Sequence, residues 1–270
     1  MQKENKILLP VINKIYKEDY KNYRECAKKT LLLRKENHPL ILKYNKELTY
    51  FFDLPENDFL EKNNSSELLN NNELQTINSE PVLDGIETGY HAKQYFIRNY
   101  NCFDFDDYDR HLGAKMTIEK IQDSSIDILF EARFEYNDCV TKPDILKRNG
   151  TGWDLIEVKA TTKVHREHFY DVLYQYYILT NCNIEIKNIY LMHLNSNYIH
   201  QFALDYDSLF TLTNDYDLTT TGAKQENIMN GIQKDLRKRD FNEDIKQIKN
   251  IFQMPEDKIL AWLKTSQCHK

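Results

Sequence analysis

The stretch from Pro143 to Lys159 constrains this chain more than any other. Thr141 to Arg148 and Trp153 to Lys159 both read as strands. Asn149-Gly150 between them is a strong hairpin signal, because glycine reaches positive φ without a steric penalty. Alternate side chains of a strand share a face. Leu155, Glu157 and Lys159 therefore point one way, and Ile156 and Val158 the other. Folding the hairpin brings Asp144 beside Glu157, so two carboxylates and an ammonium gather at one strand end.

The rest of the 270 residues supplies the layers around that hairpin. Helical spacing of Ile12, Ile15, Tyr16, Tyr20, Tyr23 and Leu31 to Leu33 predicts one helix over 11–37, ended by His38-Pro39. Asn63-Asn64-Ser65-Ser66 and Asn70-Asn71-Asn72 mark a polar loop over 61–80. A helix is predicted from Gly85 to Tyr100, a strand from Ile126 to Phe134, a helix over 167–181 and a strand from Lys187 to Leu194. A charged helical tail follows from Lys224 to Phe252, then a short helix from Asp257 to Thr265. The expected fold is α/β: a mixed central sheet flanked by helices, with a helical N-terminal lobe and a helical C-terminal segment. The expected divisions are 1–80 for the lobe, 81–222 for the core and 223–270 for the C-terminal segment.

Several classes fall away. There is no run of about 18 apolar residues to span a membrane and no secretory leader pattern. The five cysteines are scattered, with no Cys-x-x-Cys pair, so the default is a reduced, cytoplasmic protein. Cys102, Cys139 and Cys182 are expected in the core. The net charge of −6 does not advertise a nucleic-acid binder, so such a role must rest on a local patch. Candidates are Lys28, Lys29, Arg34 and Lys35, then Lys163 and Arg166, then Lys234 to Arg239, where interrupting acids favour a solvated helix face.

Two convergent carboxylates suit a hard divalent cation such as Mg²⁺. A neighbouring lysine can position water and stabilise charge developing on a phosphate. The plain reading of Glu-x-Lys is a solvated ion pair worth under about 1 kcal/mol, and of Pro-Asp a turn. The order of strand, turn, strand, helix and strand favours the chemical reading. On the following helix, His168, Asp171 and Gln175 form a polar stripe, and His168 by itself reads as an ordinary helix residue.

Pro143-Asp144, the spacing of 13 positions to Glu157, and Glu157-Val158-Lys159 resemble the PD-(D/E)XK nuclease superfamily. The resemblance implies a restriction-endonuclease-like core and Mg²⁺- or Mn²⁺-dependent hydrolysis of DNA. By the same resemblance Asp144, Glu157 and the Val158 carbonyl would hold the metal and Lys159 would orient water. Gln175 is similar to the helix glutamine of RecB-like members, although Leu179 stands where they carry tyrosine. Their first helix carries Gly-x-x-x-His, for which Glu87 or His91 would substitute here, and Glu131 stands where some relatives have an acid.

Tyr23 to Lys29, around Cys26, resembles the N-terminal segment of iron–sulfur nucleases related to CRISPR-adaptation exonucleases. Phe130 to Asn195 resembles the nuclease-like N-terminal part of a large bacterial family. Cys26 is followed by Ala27 rather than proline, and near the C-terminus Cys268 stands alone. Two cysteines are half of the usual Cys₄ set, so an intact [4Fe–4S] cluster is not expected. The implied partner is DNA, single-stranded or at duplex ends, with exonucleolytic action. The alternative is a catalytically silent nuclease fold that binds DNA or scaffolds a larger complex.

Overall fold

Helically spaced apolar residues do fold the start of the described chain into helix, but Cys26 interrupts it. Helix α1 (Lys17–Glu25) and helix α2 (Ala27–Leu32) meet at Cys26, whose φ of −163° and ψ of 119° are extended. The break lets two short helices each bury a face, with Tyr20, Leu31 and Leu32 inside. The computed structural model describes residues 14–34, 80–105, 113–199, 203–217 and 224–264. The predicted loop over 61–80 lies almost entirely outside them. The chain divides into two units, Met1–Ser79 with Phe241–Lys270, and Glu80–Asp240.

The second unit opens with α3 (Glu80–Ile97), β1 (Cys102–Asp104), α4 (Gly113–Gln122) and β2 (Ile128–Phe130). It continues through β3 (Phe134–Tyr136), β4 (Cys139–Thr141), β5 (Ile145–Asn149), β6 (Gly152–Lys159), α5 (Arg166–Asn181) and β7 (Ile186–Leu194). It closes with α6 (Tyr206–Leu209), β8 (Phe210–Thr213), β9 (Asp215–Asp217), β10 (Gln225–Asn227) and α7 (Ile228–Lys238). Six strands form one mixed sheet in the order β1-β2-β5-β6-β7-β8, parallel at β1/β2 and β6/β7 and antiparallel elsewhere. This is a mixed α/β fold with helices flanking the sheet.

Two predicted strands are shorter than their sequence suggests, for one reason. The β2/β5 ladder stops at Phe130↔Ile145. Continuing it would set Ala132 against Pro143, which has no N–H to donate. Glu131 turns away with φ 56°, and the chain makes a separate β3/β4 hairpin instead. The predicted helical tail is also divided. Strand β10 and helix α7 belong to the second unit, so the boundary expected at 222 falls at 240.

Strand alternation sorts the core. On one face Ala92 and Phe96 of α3 pack with Ile128, Phe130, Ile145, Ile156 and Met192. The intervening residues Leu129, Leu146, Leu155 and Leu191 are buried too and point the other way. There α5 packs on β6, β7 and the β3/β4 hairpin. Its Tyr174 hydroxyl donates to the Val140 carbonyl at 3.3 Å.

Helices α8 (Phe241–Phe252) and α9 (Glu256–Lys264) pack with α1 and α2 in the first unit. Tyr20 and Phe241 meet with ring centroids 4.7 Å apart. Arg34 is buried, pairs with Asp19 and lies 4.8 Å over the Phe252 ring, and Lys28 donates to the Leu263 carbonyl at 2.8 Å. Burial in that setting lowers the Lys28 pKa. Arg34 is thereby removed from the candidate surface for a nucleic-acid backbone. Among the described residues no helix is long and apolar enough to cross a membrane.

The β5/β6 hairpin closes through Gly150 and Thr151, with φ +60° at Gly150. Gly152 matters for a different reason. A Cβ there would sit 2.7 Å from the Glu185 backbone oxygen, which also accepts from the Trp153 amide at 2.8 Å. That oxygen is held between strands and cannot retreat. Gly152→Ala should therefore destabilise the fold by about 1–3 kcal/mol, the usual range for overpacking, measured by urea denaturation. A parental unfolding midpoint would show that β6 and β7 are not so closely apposed.

Candidate functional site

The polar residues of β6 emerge on the face covered by α5. Glu157 is 1% exposed, and Asp171 and Gln175 of α5 are fully buried. Asp171 and Gln175 are four residues apart and so share a helix face. The Lys159 ammonium donates to Glu157 Oε1 at 2.8 Å and to Asp171 Oδ2 at 2.5 Å. Gln175 Nε2 donates to Glu157 Oε2 at 2.5 Å. Gln175 Oε1 is buried and meets no hydrogen-bond partner among the described residues. A buried amide oxygen left this way is costly unless a further group meets it.

Asp144 lies one step beyond the Ile145↔Ile156 pair, which places it opposite Glu157 in the register. Its Oδ2 accepts from the Val158 amide at 2.6 Å. The side chain thus continues the β5/β6 pairing one step beyond Ile145↔Ile156 and is held at the end of β6. The structure brings Glu157, Lys159 and Gln175 into one network and sets Asp144 against the Glu157-Val158 backbone.

The remaining candidates sit elsewhere. Glu87 is exposed and 3.7 Å from His91, whose Nδ1 meets the Tyr206 hydroxyl at 3.2 Å. Both lie on α3, across the sheet from α5. Glu131 pairs with Lys142 at 3.5 Å. His168 completes a capping box on α5, its Nδ1 accepting from the His165 amide at 3.1 Å, which explains its burial without chemistry. Cys26 is disulfide-bonded, and Cys268 lies outside the described residues. Of the three cysteines expected in the core, Cys139 is buried, while Cys102 and Cys182 are half-buried.

Among the described residues no group of three or more His, Cys, Asp or Glu side chains converges as a metal site. The donors present are nonetheless of the kind Mg²⁺ takes, which is typically held by one or two carboxylates with water and phosphate oxygens completing the shell. Each carboxylate oxygen offers two lone-pair sites, so Glu157 can keep its hydrogen bonds and still ligate. The orphan Gln175 oxygen adds a polar edge. The residues fit such an ion.

Asp171 carries no motif signal in the sequence. The polar stripe on α5 was visible, but its partner is twelve residues away on another element. A separate cavity of about 330 Å³ lies on the α3 face, lined in part by Tyr95, Tyr100, Lys147, Asp154 and Tyr190. The Asp154 carboxylate there is held by the Asn149 and Asn188 side-chain amides. No family model, curated protein or solved structure matches the chain.

Two outcomes test this site and its surroundings. Lys159→Ala strips an ammonium from two buried carboxylates, so it should destabilise the fold by about 3 kcal/mol, read by denaturant titration. An unchanged unfolding curve would mean the pairs are solvent-screened. The Cys102 thiol is pushed up to about 11, first by burial and then by Asp127 and Asp104. Roughly one in a thousand is thiolate at pH 8, so iodoacetamide should label it slowly, faster about tenfold per pH unit. Labelling at the rate of free cysteine at pH 8, by peptide mass mapping, would refute that environment.

Proposed function

We propose that this chain is a metal-dependent nuclease that hydrolyses DNA phosphodiester bonds. One observation carries the reading. Glu157, Lys159 and Gln175 meet in one buried network with a polar oxygen to spare, and Asp144 is pinned at the same strand end. The sequence resemblance to PD-(D/E)XK nucleases supports the same assignment.

Asp144, Glu157 and the Val158 carbonyl would hold Mg²⁺ or Mn²⁺. Such an ion supplies Lewis-acid activation of water and neutralises charge on the phosphate. Lys159 would orient the attacking water and donate to a phosphate oxygen. Gln175 Oε1 would accept a hydrogen bond from that water or another in the shell. Water adds at phosphorus and gives up a proton as the bond to the leaving deoxyribose oxygen breaks, and that oxygen takes up a proton from solvent to leave as a hydroxyl.

A second reading keeps the fold and drops the chemistry: a silent nuclease fold that binds DNA or scaffolds a complex. It is favoured by Glu157 having both oxygens hydrogen-bonded already and Asp144 having one on the Val158 amide. Plasmid and single-stranded DNA incubated with Mg²⁺ or Mn²⁺, beside binding measured in EDTA, separates the two. Cleavage is expected with metal. Binding in EDTA with no cleavage in either metal would favour the silent fold.

Asp144→Asn keeps an acceptor for the Val158 amide, and Glu157→Gln keeps one for Lys159. Both should fold and lose at least about a hundredfold in cleavage rate, since each removes a ligand charge. Parental rates in both variants would remove the site assignment.

A further inference from the structure

We infer that Asp171 is a positioning residue for Lys159. The inference rests on the nuclease reading above and assigns a part to a residue outside the Asp144, Glu157 and Lys159 signature. The Lys159 ammonium is shared, 2.8 Å from Glu157 Oε1 and 2.5 Å from Asp171 Oδ2. Glu157 has two duties, as partner of Lys159 and as a ligand to the cation; its lone pairs can serve both, but the charge of the ammonium opposes that of the cation. Asp171 comes instead from α5, and its Oδ2 is engaged by that ammonium.

Geometry shows how the competition is resolved. Asp171 is fully buried on α5, one turn before Gln175, and the helix there is fixed by packing on β6 and β7. Its carboxylate is therefore a rigid anchor. Lys159 sits two residues past Glu157 with its side chain 18% exposed, so its amine is the movable partner at the rim of the site. When Glu157 turns to a cation, Asp171 retains the ammonium and keeps it from following as a competing charge. It also fixes the amine where it meets water and phosphate. With residue 171 neutral, the ammonium falls back on Glu157. Cation binding and turnover then both suffer, while contacts to the rest of the DNA do not change.

The test uses the full chain and Asp171→Asn, which preserves shape and one acceptor oxygen but removes the charge. Mn²⁺ affinity is measured by calorimetry without DNA, kcat and KM for DNA in Mg²⁺, and Tm as the check on folding. Expected are a severalfold weaker Mn²⁺ affinity, kcat lower by about 10–100-fold as for residues that orient metal ligands, and KM within about twofold. Asp171→Glu keeps the charge and should recover part of both losses, which also decides the matter should the Asn variant fold poorly. A role in packing alone would lower Tm and leave Mn²⁺ affinity and kcat per folded molecule unchanged. That result, or an Asn variant equal to the parent, overturns the inference while the nuclease reading stands. A parent chain that neither cleaves DNA nor binds Mn²⁺ overturns both.

Discussion

The Lys159 ammonium between Glu157 and Asp171 ties the sheet to the helix that covers it. Burying a carboxylate without a partner is prohibitive, and here two carboxylates from different elements are almost wholly buried. The ammonium makes that burial tolerable. It also dictates which turn of α5 lies over which residue of β6, because Asp171 and Gln175 both reach the end of the strand. Apolar packing can bring a helix onto a sheet in several registers. Directional charged hydrogen bonds select one.

The two faces of the sheet divide their tasks accordingly. The α3 face is closed by aliphatic and aromatic side chains around Phe96, Phe130 and Ile156. The α5 face carries Leu129, Leu146, Leu155 and Leu191, with Glu157 and Lys159 at the end of β6. Since β6 and β7 run parallel, their carboxyl ends lie at the same edge. In α/β sheets ligands commonly meet that edge, because the strands finish there and side chains converge without further backbone to pair. Pro143 sharpens the arrangement. It breaks the β2/β5 ladder, and Asp144 answers by capping the Val158 amide with its own carboxylate.

The first unit uses charge in the same way for a different end. Arg34 and Asp19 are both buried, and the guanidinium plane rests over Phe252. Residues that look in sequence like parts of a basic surface are thus internal ties between helices. The net charge of −6 is consistent with this economy of free cations.

Much of the central architecture was legible in the residues alone. Asn149-Gly150 and the alternation from Leu155 to Lys159 determined the hairpin and the side of β6 that carries Glu157 and Lys159, because turn chemistry and strand period are local. The apolar stripe of α5 was local too. What lay beyond the sequence depended on partners distant in the chain. Cys26 is extended and breaks a helix whose periodicity continues through it, and both short helices that result bury residues. Glu131 leaves its strand because Pro143, twelve residues later, has no amide to offer. Asp171 reads as one polar position on an amphipathic helix until α5 packs on β6 and sets its carboxylate against Lys159. Only the tertiary structure decides which buried charge meets which, because that depends on the low-dielectric space between elements and not on spacing within either one.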